Sequence, residues 1–166
     1  MVTLRNAERS DLEQIVTVFT DCWRISYPAA LPEELVATMT PEKARSLWAD
    51  ALTRRASPIV VAVSDADLHE VCGFVGFRLE PDDVGYVSSL YVSPFLQGGG
   101  AGRLLLAAAE TRLYAMGAAT GQLWVFQQNA PSIAFYRRQG WEPDGRVETL
   151  AEWGQPQLGM AKTLGG

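Results

Sequence analysis

The segment most suited to chemistry is rich in glycine. Residues 98–102 read Gly-Gly-Gly-Ala-Gly, between an apolar run typical of a strand and an Ala/Leu-rich run typical of a helix. The first N–H groups of a helix have no partner within the helix, and the helix dipole adds partial positive charge there. Glycine allows positive φ and lets the backbone approach an anion closely. Four glycines in five residues before a strong helix therefore indicate a phosphate-binding turn rather than only a tight connection.

Two common phosphate-binding motifs do not fit this turn. A Walker loop needs lysine and then serine or threonine after its last glycine, whereas Gly102 is followed by arginine and leucine. A dinucleotide fingerprint needs glycine at its first, third and sixth positions. Counted from Gly98 the sixth residue is Arg103, and counted from Gly100 it is Leu105. The pattern thus argues against a nucleotide-binding fold.

Other reactive side chains are few. Cys22 and Cys72 are the only cysteines and His69 is the only histidine. The cysteines lack the paired spacing of a zinc site and have no histidine near them in sequence, so we expect a reducing compartment, no metal and no nucleophilic cysteine.

Length and charge narrow the class of protein. The 166 residues suit one domain spanning 1–166, and the net charge of −5 disfavours nonspecific binding to nucleic acid or to an acidic membrane surface. We find no stretch that resembles a signal peptide or a membrane span, so we expect a cytoplasmic protein that binds neither nucleic acid nor membrane.

The first third of the chain predicts one strand and then helices. Val2–Arg5 is typical of a short strand, and Ser10 with Glu13 predicts a capping box that opens the first helix. Residues 31–39 and 40–52 predict two more helices, each with a proline near its first turn.

The rest of the chain predicts a sheet. Three β-branched runs indicate consecutive antiparallel strands, Pro58–Ser64, Val71–Leu79 and Tyr86–Val92. After the glycines we predict a helix ending at Gly117, a strand at Gln122–Gln127, a short helix at Pro131–Gln139, and two weaker strands within Arg146–Thr163. This order is that of a mixed α+β domain on one sheet.

Two motifs in the second half resemble the GCN5-related N-acetyltransferase (GNAT) superfamily. Residues Gln97–Gly102 match Q/R-x-x-G-x-G/A, the family's pyrophosphate-binding pattern, and they follow LYVSP at 90–94, which is similar to the family's LYV-P stretch. NAPSIAFYRRQGWE, Asn129–Glu142, is similar to the N-x-x-A-x-x-FY-x-x-x-GF block, with tryptophan in place of the last phenylalanine. The resemblance covers roughly Tyr86 to Glu142 and is much looser before that.

The resemblance implies a GNAT fold of the α+β class. Its sheet is mixed but mostly antiparallel, has six to seven strands, is splayed between strands 4 and 5, and is flanked by about four to five helices. It also implies acetyl-CoA as cosubstrate, held in the gap between Tyr86–Val92 and Gln122–Gln127.

The resemblance assigns coenzyme contacts residue by residue. The backbone of Leu90, Tyr91 and Val92 would face the pantetheine arm, and the Val92 amide would polarise the thioester carbonyl. The pyrophosphate would lie on Gln97, Gly98, Gly99, Gly100, Ala101, Gly102 and Arg103. For Arg103, a charge-assisted contact and a solvated position in the first helical turn are equally open.

Three further residues follow from the FY motif. Asn129 is either a helix N-cap or a pantetheine ligand or both, and Ser132 would join the coenzyme site. Tyr136 would be the general acid, because a phenol with a pKa of about 10 can protonate a leaving thiolate whose acid has a pKa of about 8.5. Core packing is the alternative role for Tyr136, and Phe135 is expected to be core.

The acceptor side is less determined. Many relatives place a glutamate on the strand before the LYV stretch, whereas this chain has no carboxylate there, so a water held by Ser88 or Ser89 could relay the proton. Trp23 and Tyr27 fall where the family's acceptor-covering loop lies, with core packing as the alternative for Trp23.

The sequence therefore predicts an N-acetyltransferase that moves acetyl from acetyl-CoA to a primary amine of a small molecule or peptide, by direct attack in a ternary complex. The alternative is a GNAT-like sensor module that binds acyl-CoA without turnover. A homodimer is open, because the weak strands of the tail could exchange with a second copy.

Overall fold

A computed structural model describes residues 1–67, 69–96 and 99–165. These residues form seven strands and five α-helices. The strands are β1 (Val2–Asn6), β2 (Ile59–Ser64), β3 (Val71–Glu80), β4 (Val84–Val92), β5 (Thr120–Phe126), β6 (Glu142–Thr149) and β7 (Pro156–Thr163). The helices are α1 (Leu12–Asp21), α2 (Glu33–Ala37), α3 (Pro41–Ala51), α4 (Ala101–Ala115) and α5 (Ala130–Arg138).

All seven strands belong to one mixed sheet in the order β1-β2-β3-β4-β5-β7-β6. Every neighbouring pair is antiparallel except β4 and β5, which run parallel. Helix α4 provides the crossover between those two strands, since a parallel connection needs a long return path. The predicted α+β fold with a mixed, mostly antiparallel sheet is confirmed.

The central strands part soon after they meet. The ladder between β4 and β5 joins only Val84, Gly85 and Tyr86 to Thr120, Gly121 and Gln122. Beyond Tyr86, β4 stays paired with β3 on one side, and β5 stays paired with β7 on the other. The sheet is therefore open in its middle, with a gap that runs toward the carboxyl ends of both strands.

Helices cover both faces of the sheet. On one face α4 buries Leu105, Ala109 and Leu113 completely, as their helical spacing requires. On the other face α1 and α3 bury Ile15 and Trp48 against β2 and β3. The two cores therefore pack against opposite faces of the open sheet.

Near both ends of the chain the structure differs from the sequence-based prediction. The capping box precedes α1 but is formed by Glu8 and Asp11, so the prediction for Ser10 and Glu13 is wrong. Asp11 is preferred because its buried carboxylate also accepts two hydrogen bonds from Arg5, at 2.8 and 2.9 Å. At the other end, β6 begins at Glu142, four residues before Arg146, where the predicted strand region begins.

No helix within the described ranges combines the length and the apolar character needed to cross a membrane.

Candidate active site

The N-terminus of α4 opens onto a cavity. Gly100 is the N-cap residue, with φ of 82°, and no side chain of the described residues caps the first helical N–H groups. A Cβ on Gly99 would meet nothing closer than 3.9 Å, so no close packing dictates glycine there. Gln97 and Gly98, which were also predicted to bind the coenzyme, lie outside the described residues.

We call the space beside this turn the loop cavity; it has a volume of about 530 Å³. Its lining includes two cationic side chains, and Arg103 Nη2 lies 3.8 Å from where a Cβ would stand on Gly100. The guanidinium group of Arg103 thus folds back over the glycine turn. The loop cavity is lined by Leu90, Val92, Gly100, Ala101, Gly102, Arg103, Pro131, Ser132, Phe135, Tyr136, Arg138 and Gln139.

A second space, the splay cavity, fills the gap between β4 and β5 and has a volume of about 390 Å³. On the β4 side it is lined by Tyr86 to Tyr91, and on the β5 side by Leu123 to Phe126. Its remaining walls are Trp23, Tyr27, Asn129, Ser132, Tyr136, Glu148, Leu150, Trp153 and Gln157.

Three residues line both cavities: Leu90, Ser132 and Tyr136. The two spaces therefore adjoin at the start of α5. Asn129 lies at the same place, where its side-chain oxygen caps α5 by accepting from the Ser132 N–H at 3.3 Å. This cap uses the oxygen, so the side-chain N–H groups of Asn129 can serve a ligand in the splay cavity.

The ring of Tyr136 is partly buried at this junction. It packs edge-on against Phe135 and Trp141, with centroids 5.4 and 6.4 Å away. Burial raises the pKa of the Tyr136 phenol well above its ordinary value of 10.0, so the hydroxyl stays protonated at neutral pH. A protonated hydroxyl at the junction of two cavities can donate a proton to a group bound across them.

A bulge in β4 shapes the splay cavity. The register with β3 shifts so that Ser89 pairs with Gly76 and Val87 with Phe77, and Ser88 is the extra residue. A Cβ on Gly76 would lie 2.7 Å from Ser89 Oγ and 3.1 Å from Ser88 Oγ. Both hydroxyls consequently lie on the same face of the sheet, where both residues line the splay cavity.

The cysteines are not placed for nucleophilic chemistry. Cys22 is buried and its thiol donates to the Val92 carbonyl at 3.2 Å. Burial raises the pKa of Cys22 to about 12, and burial also raises the pKa of Cys72. Both thiols therefore stay protonated at neutral pH. His69 lies in an exposed turn and lines neither cavity.

The comparison with known families decides the class of protein. Residues 12–141 match the model of the acetyltransferase (GNAT) family. The chain belongs to the GNAT family. It is accordingly an acetyl-CoA-dependent acyltransferase.

Three relatives carry acetyltransferase names. YuaI of Bacillus subtilis (strain 168), named an uncharacterized N-acetyltransferase, is 31% identical over 99% of this chain and 98% of its own. The peptidyl-lysine N-acetyltransferase YjaB of Salmonella typhimurium is 28% identical over 94% and 93%. An L-methionine sulfoximine/L-methionine sulfone acetyltransferase of Pseudomonas paraeruginosa is 31% identical over 90% and 86%.

A solved structure shares the fold. The PaiA N-acetyltransferase from Thermoplasma acidophilum, crystallised in complex with coenzyme A, aligns with a TM-score of 0.80. The alignment covers 98% of this chain and 99% of that one at 21% identity. At that identity the likeness establishes the GNAT architecture alone.

One wall of the splay cavity is aromatic. Trp23 is buried among Phe19 and the core of α1, as its core interpretation requires, yet it also lines the splay cavity. Tyr27 lies between Trp23 and Phe126, with ring centroids at 4.9 and 6.4 Å. Burial raises the pKa of Tyr27 well above 10.0 and that of Tyr91 to about 12, so these phenols also remain neutral.

Several residues of this wall were missed in the sequence. Trp153, in the connection between β6 and β7, lines the splay cavity, and its ring centroid lies 5.5 Å from that of Trp23. Glu148 on β6 is the one carboxylate among the described residues that line either cavity. Both lie where the hydrophobic pattern of the tail is weak, and an isolated tryptophan near a turn was the available signal.

The described residues contain no group of three His, Cys, Asp or Glu side chains suited to a metal ion.

Proposed function

We propose that the protein transfers the acetyl group of acetyl-CoA directly to a primary amine of a small molecule or peptide, with both substrates bound at once. The observation that carries this proposal is that Tyr136 lines both the loop cavity and the splay cavity. A coenzyme with its diphosphate in one and its thioester at the junction would bring its sulfur to the phenol.

The coenzyme end of the proposal is supported by backbone geometry. Diphosphate oxygens would accept hydrogen bonds from the first N–H groups of α4, helped by the helix dipole. Arg103 and Arg138 line the same cavity and add positive charge. The pantetheine arm would lie along β4 where the ladder with β5 has ended, near Leu90, Tyr91 and the Asn129 amide.

The chemical step would need one acid and one base. The amine nitrogen attacks the thioester carbonyl carbon, the C–N bond forms, and the C–S bond breaks as electrons pass to sulfur. Tyr136 would donate its proton to the leaving thiolate, and solvent would later restore it. The Val92 backbone amide is our candidate to polarise the carbonyl oxygen.

The proton lost by the amine needs a different route. The two hydroxyls of Ser88 and Ser89 face the same cavity and could hold a water that accepts the proton. β4 carries no carboxylate near these hydroxyls, and we propose that the relay passes the proton to solvent. Trp23 and Tyr27 would form the wall against which the acceptor lies.

The proposal is tested with purified protein, acetyl-CoA and a panel of primary amines that includes a lysine peptide and free amino acids. These two classes follow the names of the relatives from Salmonella and Pseudomonas. We expect amine-dependent release of free thiol and an acetylated product by mass spectrometry. Stabilisation by acetyl-CoA without thiol release for any amine would contradict the transfer.

A parallel measurement tests the coenzyme class alone. Acetyl-CoA and CoA should raise the melting temperature, because a ligand that binds only the folded state stabilises it. ATP and NAD should not, since the glycine turn matches neither of their motifs.

A further inference from the structure

A third space adjoins the splay cavity on the face covered by α1 and α3. This serine cavity has a volume of about 240 Å³ and shares five lining residues with the splay cavity: Trp23, Ser88, Ser89, Tyr91 and Trp153. Its apolar floor includes Phe19, Trp48 and Ile59. If the acceptor amine reaches the thioester from this side, the other end of the acceptor would lie in the serine cavity.

The charged side chains in the described lining of the serine cavity are both cations. Within the described part of the chain, its lining holds Arg54 and Arg78 and the hydroxyls of Ser57, Ser88 and Ser89, and it holds no carboxylate. Guanidinium groups can only donate hydrogen bonds. This lining is complementary to a group rich in acceptor oxygens.

Arg78 is the better placed of the two arginines. Its Nε donates to Glu80 at 2.7 Å, and its Cζ stands 4.5 Å from the centre of the Tyr86 ring. These contacts fix the plane of the guanidinium group. The contact with Glu80 uses Nε. Nη1 and Nη2 form no hydrogen bond with any described residue. These two nitrogens can therefore donate hydrogen bonds to both oxygens of a carboxylate.

Arg54 is held less firmly. It pairs with Asp50 one helical turn away, and its side chain is 62% exposed. Exposed pairs of this kind contribute little to binding or stability. The anchor of the serine cavity is therefore Arg78, whose side chain is 40% exposed and can still meet a ligand.

We infer that Arg78 binds a carboxylate of the acceptor, so that the acceptor is a small primary amine with a carboxylate at its other end. This inference rests on the proposed acetyl transfer in the splay cavity. Arg78 lies opposite Tyr86 and Val75 lies opposite Leu90, and these two positions on β3 are three residues apart, which corresponds to about 10 Å along a strand. The carboxylate is accordingly separated from the amine by several bonds.

The test compares 5-aminopentanoate with pentylamine, a pair that differs in the carboxylate. In the wild type we expect kcat/KM for 5-aminopentanoate to exceed that for pentylamine by about tenfold or more, as a charge-assisted bidentate contact allows. Arg78→Gln should bring the ratio close to one, and Arg78→Lys should restore part of it. Equal values for both amines in the wild type would overturn the inference.

A matched control is Arg112, which also stacks on a ring, that of Phe77 at 5.2 Å, and bonds one polar partner, Asn6. It lines none of the three cavities, so Arg112→Gln should keep the wild-type ratio. The melting temperature of each variant shows whether it folds. If a lysine peptide or spermidine is acetylated faster than every tested amine that carries a carboxylate at its other end, the inference is also overturned.

Equilibrium binding separates this inference from the acetyl transfer itself. By calorimetry, the CoA-loaded wild type should bind 5-aminopentanoate more tightly than pentylamine, and Arg78→Gln should lose that difference. If acetyl-CoA binds but no amine is acetylated, the transfer fails while the binding preference still tests Arg78. If the CoA-loaded wild type binds 5-aminopentanoate no better than pentylamine, the role of Arg78 fails by itself.

Discussion

Ser88 and Ser89 are consecutive residues of one strand, yet their hydroxyls lie on the same face of the sheet. In a regular strand, neighbouring side chains point to opposite faces. The bulge at Ser88 removes that alternation, and Gly76 on β3 leaves room for both hydroxyls. Among the described residues no protein group forms a hydrogen bond with either hydroxyl, so both can hold water.

The double variant Ser88→Ala/Ser89→Ala should lower kcat by about tenfold, which is less than the roughly 100-fold of a directly positioned acid or base because this relay acts through water. Without the relay the amine must lose its proton to bulk water, so the rate should rise more steeply with pH than in the wild type. The pH–rate profile measures this, with Ser46→Ala on the exposed face of α3 as control. If the double variant keeps the wild-type kcat and its pH–rate profile has the wild-type slope, the serines take no part in the mechanism.

Tyr136→Phe should reduce kcat by about 100-fold while leaving the affinity for acetyl-CoA nearly intact, because it deletes the proton donor and keeps the ring. Steady-state kinetics and acetyl-CoA titration separate the two effects. Tyr114→Phe, in the exposed part of α4, is the matched control. A Tyr136→Phe enzyme with the wild-type rate would show that the phenol only packs.

Gly100→Val should weaken CoA binding by at least about tenfold, because a branched side chain blocks the approach of phosphate and strains a residue with φ of 82°. Gly117 at the other end of α4 has φ of 106°, and a Cβ placed on it would meet no atom within 4 Å. Gly117→Val therefore carries a similar backbone strain without touching the coenzyme. Equal CoA affinity in the two variants would argue against a phosphate site at Gly100.

Asp11→Asn should destabilise the fold by about 1–3 kcal/mol at pH 7, because the buried carboxylate accepts from Arg5 and from the Glu8 N–H. Hydrogen bonding by Arg5 lowers the pKa of Asp11 below 3.8. Its contribution is thus complete above the ordinary carboxyl pKa and is lost as pH falls through the lower folded-state value.

Urea unfolding of the wild type and Asp11→Asn at pH 7 and near pH 3 measures this difference. The gap between the two proteins should shrink at the lower pH. Asp50→Asn, which breaks the exposed pair with Arg54, should change stability by no more than about 1 kcal/mol. A gap for Asp11→Asn that does not depend on pH would contradict the ionised contact.

Much of the fold could be predicted because its signals are local. Helix α4 shows its apolar face at Leu105, Ala109 and Leu113, and its ends at Gly100 and Gly117. The order of strands and helices followed from changes in hydrophobic period, and the FY motif led to Tyr136, which lines both the loop cavity and the splay cavity.

The proposed acceptor side could be predicted only in part, because several of its features depend on pairing between distant segments. The bulge at Ser88 appears only when β4 is aligned with β3. Trp153 and Glu148 line the splay cavity through the β6–β7 hairpin, whose pairing next to β5 is not visible in the sequence. Arg78 becomes a candidate ligand only through its stacking on Tyr86 and its place beside the serine cavity.

The central claim is that one coenzyme spans the loop cavity and the splay cavity, and a crystal structure with acetyl-CoA tests it most directly. We predict diphosphate oxygens about 3 Å from backbone nitrogens at the start of α4, and a thioester sulfur within hydrogen-bonding reach of the Tyr136 hydroxyl. A coenzyme whose diphosphate lies away from Gly100–Arg103, or whose sulfur points away from Tyr136, would contradict it.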